Sequence, residues 1–242
     1  MNPRVAIVTG GSRGIGRAIS ERLTADGYQV AIAYAGNTTA ADETVASITA
    51  AGGEAFAIQA DISDDKLVAA VFAETEKHFG GVDVVVNSAG IMSLAPVADF
   101  DLAEFDRIVA TNLRGAFIVS QLAARTVREG GSIINFSTTV TRTHFPTYAP
   151  YAATKAAVEA LAPILAKELA GKNITVNTVA PGPTATDLFL TGKDDATIER
   201  LAGMNPMNRL GTPDDIAEVV AFLAGPARWV NGQTIFANGG VI

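Results

Sequence analysis

Residues 5–16 read VAIVTGGSRGIG, a short apolar run that leads directly into a glycine-rich segment. Apolar residues then recur at the spacing of one helix face as far as Leu23. This pattern predicts a buried strand, a tight turn and a helix whose N-terminus offers free N–H groups to a diphosphate. The glycine spacing is Gly10-x3-Gly14-x-Gly16 rather than G-x-G-x-x-G. We therefore interpret the segment as a nucleotide-binding loop, with a plain tight turn as the alternative.

The next strand-like run, Val30–Tyr34, ends without an acidic residue. A site for NAD usually places a carboxylate there to bind the ribose 2′-hydroxyl. Here the first acid is Asp42, while Arg13 in the glycine-rich segment supplies a cation. This combination favours a 2′-phosphate, and hence NADPH/NADP as cofactor, with NAD less favoured. The alternative for Arg13 is a solvated loop charge.

Five further apolar runs follow, and helical patterns separate them. They are Ala55–Ile58, Val82–Val86, Ser132–Phe136, Ile174–Val179 and the shorter Ile235–Phe236. Continuous apolar strands that alternate with helices predict a parallel sheet covered by helices on both faces. Ligands of such sheets bind beyond the carboxyl ends of the strands, where this chain places its polar and glycine-rich residues. No linker or repeat interrupts the series, so we expect one α/β domain over residues 1–242.

Composition excludes several classes of function. The chain has 242 residues, a net charge of −7 and no cysteine, so disulfides, thiolate nucleophiles and cysteine–zinc sites are ruled out. Its two histidines are distant from each other, and we expect no metal site. No basic stripe and no run of about 18 apolar residues is present, so we expect neither a nucleic-acid partner nor a membrane span. We expect a cytoplasmic protein without a secretion signal.

Tyr151 and Lys155 lie four residues apart in YAATK, at the start of a run rich in helix formers. On a helix these positions share one face. An ammonium near a phenol favours the phenolate, so we expect Lys155 to lower the pKa of Tyr151 towards neutral. A phenol tuned in this way exchanges protons at working pH. The alternative is a chance pair on a helix surface.

At this point the chain resembles the short-chain dehydrogenase/reductase family. The resemblance rests on TGGSRGIG at 9–16, DIS at 61–63, NSAG at 87–90, TNLRG around Asn112, YAATK at 151–155 and PGPTATD at 181–187. It implies a single Rossmann-type doubly wound domain, a seven-stranded parallel sheet flanked by helices, and NAD(P)(H) as cofactor. It also implies a homotetramer or homodimer.

The resemblance assigns catalytic roles to matching positions. Tyr151 is implied to be the general acid for carbonyl reduction, and Lys155 to hold the nicotinamide ribose and depress the tyrosine pKa. Asn112 is implied to anchor a water in a proton relay; a helix residue with satisfied hydrogen bonds is the alternative. The family's carbonyl-polarising serine lies thirteen residues before the tyrosine, where this chain has Thr138. Ser137 is the substitute candidate.

The cofactor-binding positions implied by the resemblance lie at the ends of several strands. They are Gly10, Ser12, Arg13, Gly14, Ile15, Gly16, Tyr34, Asn37, Asp61, Ile62, Asn87, Ala89, Gly90, Tyr151, Lys155, Pro181, Gly182, Thr184 and Thr186. Outside the family match, Asp61 also reads as a helix cap. A segment around residues 188–210 is implied to cover the substrate.

The sequence looks similar to NADPH-dependent aldehyde/ketone reductases, so we expect a small or medium carbonyl or alcohol substrate. The alternative is a 3-oxoacyl-carrier-protein reductase, for which Arg125, Arg128 and Lys172 are the candidate contacts to an acidic carrier. A non-catalytic dinucleotide-binding regulator on the same fold is less favoured, because the chain keeps both Tyr151 and Lys155. A lyase, dehydratase or epimerase is a further alternative; such relatives often have longer C-terminal halves.

Overall fold

The computed structural model describes residues 3–242, and a parallel sheet of seven strands forms its centre. In chain order the strands are β1 Val5–Thr9, β2 Gln29–Tyr34, β3 Glu54–Gln59, β4 Val82–Asn87, β5 Val127–Phe136, β6 Thr175–Pro181 and β7 Thr234–Ala237. Their order across the sheet is β3-β2-β1-β4-β5-β6-β7, and every neighbouring pair is parallel. This confirms the predicted seven-stranded parallel sheet.

Helices connect the strands. They are α1 Gly14–Ala25, α2 Thr38–Ala50, α3 Asp65–Phe79, α4 Leu102–Val109, α5 Ala116–Thr126, α6 Val140–Thr143, α7 Ala149–Glu168, α8 Asp187–Leu190, α9 Asp195–Ala202 and α10 Pro213–Ala224. A 3₁₀ turn covers Val97–Asp99, and a π-helical turn, Ala110–Gly115, joins α4 to α5. Among residues 3–242, no helix combines the length and apolar character needed to cross a bilayer.

Alternate residues of the strands pack on opposite faces of the sheet, as the pleat requires. Ala6 and Val8 of β1 belong to a core formed with Ile19 of α1 and Ile216 of α10. Ile7, between them, belongs to the opposite core, which includes buried residues of α3, α5 and α7. Both faces are therefore covered, and this explains why the strands read as continuous apolar runs.

The β5 strand starts earlier than the predicted run at Ser132. Its first part, Val127–Gly131, contains polar residues and two glycines, which hide the strand pattern. The pairing with β4 shifts register in this part, between Val82 and Val84. From Ser132 onwards the register is regular, so the carboxyl end of β5 is held firmly between β4 and β6.

The order of the strands reverses at β1, which lies between β2 and β4. A crevice opens at the carboxyl ends of strands where such a reversal occurs. The glycine-rich segment follows β1 at this edge, and residues 88–91 follow β4. The topology therefore brings the family-like motifs together.

After β6 the chain forms a long loop at this edge of the sheet, and the loop contains α8 and α9. It is closed at its base by a parallel bridge between Thr184 and Gly211. The N–H of Ala185 donates to the carbonyl of Gly211, and the N–H of Gly211 donates to the carbonyl of Pro183, both at 2.9 Å. The segment between these contacts, residues 186–210, is called the lid below.

Candidate active site

The glycine-rich segment needs its glycines for conformation and for close packing. Gly10 and Gly14 have φ angles of +68° and +51°, in the left-handed region that favours glycine. A Cβ added to Gly16 would lie 2.2 Å from the carbonyl oxygen of Gly10, so α1 begins in direct contact with the loop. Arg13 precedes α1 and makes no side-chain cap, whereas Asp64 caps α3. The first N–H groups of α1 are thus left without a side-chain acceptor from the cap position.

The end of β2 carries no acid to bind a ribose hydroxyl. Tyr34, the last residue of the strand, places its hydroxyl 3.4 Å from the hydroxyl of Thr38. The side chain of Asn37 caps α2 by accepting a hydrogen bond of 3.0 Å from the N–H of Ala40. Arg13 is exposed. The only charged side chain among these residues is therefore a cation.

Asp61 and Ile62 use their side chains locally. The carboxylate of Asp61 accepts hydrogen bonds from the N–H and the hydroxyl of Ser63, at 2.9 and 2.8 Å. It forms this turn instead of capping α3, the role that Asp64 performs. Ile62 is buried, and a Cβ on Gly115 would lie 2.8 Å from its side chain. The side chain of Ile62 is therefore a packing element beneath the π-helical turn.

The side chain of Asn87 forms its hydrogen bonds in the interior, and the cofactor contact expected for this residue stays a prediction. Its amide oxygen accepts a 3.0 Å hydrogen bond from Thr9, and its amide nitrogen donates to the side chain of Asn135 at 3.2 Å. These bonds link β1, β4 and β5. The next residues stay at the open edge: the N–H of Ala89 donates to the Thr9 hydroxyl, and a Cβ on Gly10 would lie 3.0 Å from the Ala89 Cα.

Asn112 lies in the π-helical turn and is almost completely buried. Its amide oxygen accepts from the N–H of Ile91 at 2.9 Å, and its amide nitrogen donates to the carbonyl of Ile91 at 2.8 Å. A Cβ on Gly90 would lie 3.3 Å from both the Asn112 amide oxygen and the Lys155 ammonium. Asn112 therefore fixes the loop after β4 close to Lys155.

Tyr151 and Lys155 share one face of α7, as predicted. The Lys155 ammonium donates a 2.9 Å hydrogen bond to the carbonyl of Phe136, the last residue of β5. It lies 5.9 Å from the centroid of the Tyr151 ring. Burial lowers the pKa of Lys155 to about 8, because the charged form loses its hydration. The lysine thus joins α7 to the carboxyl end of β5.

The expected lowering of the Tyr151 pKa is not found in the structure. Burial raises the pKa of Tyr151 to about 12, and the side chain of Thr138 opposes this rise through a hydrogen bond. The physical reason is that desolvation of the phenolate outweighs the nearby polar groups. At neutral pH the phenol is therefore protonated.

Ser137 and Thr138 point to different partners. Backbone hydrogen bonds from Ser137 to Val179 and from Thr139 to Pro181, at 2.8 and 2.9 Å, continue the β5–β6 pairing past Phe136. Alternation therefore holds at this point, as it does within a strand. The Ser137 hydroxyl turns to α7, where it lies 2.7 Å from a carboxylate oxygen of Glu159.

The Thr138 hydroxyl, by contrast, points towards Tyr151. It accepts a 3.3 Å hydrogen bond from the N–H of Val140 and lies beside Tyr151. Its hydrogen bond with Tyr151 favours the phenolate, so the Thr138 hydroxyl acts as a donor towards the phenol oxygen. A carbonyl oxygen next to Tyr151 is therefore within the reach of a donor.

Glu159 is a residue of the site that the sequence analysis missed. Its carboxylate also accepts a 2.7 Å hydrogen bond from Thr141 and pairs with Arg142 at 2.8 Å. The side chain is only 10% exposed. Its position four residues after Lys155, on the same helix face, is the signal that could have identified it.

An apolar pocket opens above these groups, with a cavity of about 130 Å³. Polar residues at its base are Ser137, Thr138, Tyr151 and Lys155, while Ile15, Pro181, Gly182, Thr184 and Thr186 line the side towards the glycine-rich segment. Phe145, Tyr148, Leu188, Phe189, Leu201 and Val241 supply the apolar side. Leu188, Phe189 and Leu201 lie in the segment around residues 188–210 that the resemblance implied to cover the substrate, although none of the six was predicted individually. Apolar residues give no sequence signal that distinguishes a pocket wall from core.

Comparisons with known proteins agree with this geometry. Residues 10–242 match a family model described as enoyl-(acyl carrier protein) reductase. An NADPH-dependent aldehyde reductase 2 of Arabidopsis thaliana is 43% identical, over 99% of this chain and 94% of its own length. A 3-oxoacyl-[acyl-carrier-protein] reductase of Staphylococcus aureus is 42% identical, over 98% of this chain and 97% of its own. A Burkholderia cenocepacia short-chain dehydrogenase, solved in complex with NADP, is 38% identical with a TM-score of 0.93, covering 99% of this chain and 98% of that chain.

Proposed function

The chain belongs to the short-chain dehydrogenase/reductase family of NAD(P)-dependent oxidoreductases. From this premise we propose that it reduces an aldehyde or ketone with NADPH, or catalyses the reverse reaction, and that Tyr151 is the proton donor. The observation that carries the proposal is the convergence of the Tyr151 phenol, the Thr138 hydroxyl and the buried Lys155 at the base of one apolar pocket.

The residues at the crevice fit a dinucleotide. The glycine-rich segment brings backbone close to the start of α1, whose first N–H groups lack a side-chain acceptor from the cap position. Such a helix end binds phosphate well. Arg13, Tyr34 and Asn37 stand where the adenosine ribose would be held, and the absence of an acid at residues 35–37 supports a 2′-phosphate. When bound, NADPH supplies the hydride for carbonyl reduction.

Side chains of the protein supply the proton that the carbonyl oxygen needs and stabilise the charge that develops on it. Because burial keeps the pKa of Tyr151 at about 12, the phenol holds its proton at neutral pH and transfers it to the carbonyl oxygen as negative charge develops there. The Thr138 hydroxyl donates a second hydrogen bond to the same oxygen, which stabilises that charge. Lys155 and Asn112 fix the walls of the site through Phe136 and Ile91.

The experiment that tests the proposal measures NADPH consumption with a panel of aldehydes, ketones and acyl thioesters. Tyr151→Phe should lower kcat by about 10²–10⁴-fold, the usual contribution of general acid catalysis. NADPH affinity should be nearly unchanged, since only the hydroxyl is lost. A dinucleotide-binding regulator would bind NADPH without consuming it, and this outcome would exclude the proposed reaction.

Reduction of a 3-oxoacyl group on a carrier protein is the second candidate, supported by the Staphylococcus aureus relative. The basic residues predicted to contact the carrier are not placed for that role. Arg125 ends α5, Arg128 lies at the start of β5 and pairs with Asp83, and Lys172 precedes β6. All three lie at the amino-terminal edge of the sheet, opposite the pocket. Comparing an acyl thioester with and without its carrier protein separates the two candidates.

Assembly into a homotetramer or homodimer is part of the proposal. Phe117, Phe222 and Trp229 expose large apolar side chains, and Trp229 is fully exposed. Apolar surface of this kind is typical of sites where proteins associate. Light scattering of the purified protein would give the oligomeric state, and a monomer would contradict this part.

A further inference from the structure

The side-chain hydroxyls that line the substrate pocket are, with one exception, hydrogen-bonded within the protein. Backbone carbonyls accept from the hydroxyls of Ser88, Thr139, Thr143, Thr184 and Thr186. The Ser137 hydroxyl is bound to Glu159, and the hydroxyls of Thr138 and Tyr151 are bound to each other. Among the lining residues in the described part of the chain, Tyr148 alone has a hydroxyl without a protein partner. This hydroxyl is therefore left for a bound ligand.

Tyr148 stands beside the proposed proton donor. It is the N-cap residue of α7, three positions before Tyr151. At this spacing on a helix the Cβ atoms of two residues are about 5–6 Å apart. Burial is the main cause of the raised pKa of Tyr151, and the neighbouring Tyr148 phenol adds to it. Two phenols thus line the same cavity side by side.

The segment before Tyr148 has a strained backbone. Thr147 has a φ angle of +74° and His144 one of +52°, both in the left-handed region. This conformation is costly for a β-branched residue such as Thr147, and it persists only where the surrounding structure enforces it. The carbonyl of Thr147 accepts a 3.3 Å hydrogen bond from the N–H of Ala95, in the loop after β4. The position of Tyr148 is therefore set by the fold rather than by local preference.

A cation of the lid acts on the Tyr148 phenol. Arg200 belongs to α9 and precedes Leu201, which lines the pocket. Burial raises the pKa of Tyr148, and the positive charge of Arg200 opposes this rise. A nearby cation stabilises negative charge on the phenol oxygen, which makes the hydroxyl a better hydrogen-bond donor. The ligand group that suits Tyr148 is therefore an acceptor, such as a carbonyl oxygen.

We propose that Tyr148 is a specificity-determining residue that donates a hydrogen bond to a second oxygen of the substrate. This oxygen lies one or two carbon atoms away from the carbonyl that is reduced, so the substrate class is a 1,2- or 1,3-dicarbonyl compound. The separation follows from the two adjacent phenols, one for each oxygen. The inference rests on the proposed function, because it takes Tyr151 as the donor to the reacting oxygen.

The test compares substrates of equal chain length that differ in the second carbonyl. Ethyl 2-oxobutanoate is matched with 3-heptanone, and ethyl 3-oxobutanoate with 2-heptanone. Tyr148→Phe should lower kcat/KM for at least one of the two esters by about three- to tenfold, mainly through KM, as the loss of one hydrogen bond implies. The values for both heptanones should stay unchanged. An equal loss for all four compounds, or no loss for either ester, would overturn the proposal.

A second arm tests the cation of the lid. Arg200→Gln should reduce the preference for the ester by about two- to threefold, the size of effect that an exposed charge produces. Arg200→Lys is the matched control, since it keeps the charge and should keep the preference. An unchanged preference in Arg200→Gln would refute the role given to Arg200.

Binding to inactive variants separates this inference from the proposed function. Calorimetric titration in the presence of NADPH measures the affinity of all four compounds without turnover, in Tyr151→Phe and in the double variant Tyr148→Phe/Tyr151→Phe. If the wild type reduces none of them, yet loss of the Tyr148 hydroxyl weakens binding of an ester alone, the proposed reaction fails and the role of Tyr148 stands. If the wild type reduces them and both variants bind each compound equally, the reaction stands and the role of Tyr148 is refuted.

Discussion

The side-chain hydroxyl of Ser137 donates a 2.7 Å hydrogen bond to the carboxylate of Glu159. This bond crosses from the carboxyl end of β5 to the middle of α7. Glu159 binds Thr141 and Arg142 as well, so one buried carboxylate holds both sides of the short segment that contains Thr138. Both residues line the pocket, but the Ser137 hydroxyl is bound to Glu159 of α7, whereas the Thr138 hydroxyl is bound to Tyr151.

Removal of the Thr138 hydroxyl should impair the reaction more than removal of the Ser137 hydroxyl. Thr138→Val keeps the shape of the side chain and should lower kcat by about 10²–10³-fold, since it deletes a preorganised donor to the carbonyl oxygen. Thr138→Ser keeps the donor and should stay active. Steady-state kcat at saturating substrate is the measurement. An active Thr138→Val together with an inactive Ser137→Ala would identify Ser137 as the catalytic hydroxyl instead.

Loss of the Glu159 carboxylate should affect both stability and kcat. Glu159→Ala leaves the buried groups of Ser137 and Thr141 without their acceptor, which should lower the free energy of unfolding by about 1–3 kcal/mol. Because Thr138 then loses its support, kcat should fall more than KM rises. Urea unfolding and steady-state kinetics measure the two effects.

Glu159→Gln is the conservative control for this prediction. Its amide oxygen still accepts from a hydroxyl, so it should recover most of kcat, although the pairing with Arg142 is weakened. If Glu159→Gln were as slow as Glu159→Ala, the negative charge rather than the positioning of Thr138 would be the important property. If neither variant changed kcat, Glu159 would have no role in the reaction.

Local patterns in the sequence predicted the parts of the structure that depend on local physics. The strand, glycine turn and helix over residues 5–25 follow from periodicity and from the backbone freedom of glycine. Alternation along β5 explains why Ser137 and Thr138 diverge, because hydrogen bonds to β6 show that the pairing continues past Phe136. The capping box that Thr212 and Asp215 form at the start of α10 likewise depends only on neighbours in the sequence.

Features that depend on contacts between residues distant in the sequence could not be predicted from local patterns. Asn87 meets Thr9 and Asn135, which come from two other strands, so its commitment to the interior has no local signature. The pKa of Tyr151 is raised because the fold buries the phenol, an effect that the Tyr–Lys spacing does not report. The sequence likewise did not show that Arg128 lies at the sheet edge opposite the pocket.

The pH dependence of carbonyl reduction should follow Lys155 rather than Tyr151. Below about pH 8 the lysine is protonated, and above its pKa of about 8 it loses the charge that holds it to Phe136. Tyr151, with a pKa of about 12, stays protonated over the same range. We therefore expect kcat/KM for reduction to be constant near neutrality and to fall as the pH rises through about 8. A fall that begins in the acidic range would contradict this assignment.

Cofactor preference should depend on Arg13. The wild type should use NADPH better than NADH, because Arg13 is the cation beside a β2 end that carries no acid at residues 35–37. Arg13→Ala should reduce this preference by about tenfold or more, the typical value of a charge-assisted contact to phosphate. The measurement is kcat/KM for both cofactors in both proteins.

Arg17→Ala is a matched control, since Arg17 lies on α1 one turn further on and pairs with Glu21 at 2.9 Å. This variant should leave the cofactor preference unchanged. Equal use of NADPH and NADH by the wild type would exclude recognition of the 2′-phosphate, and Arg13 would then be a solvated loop charge.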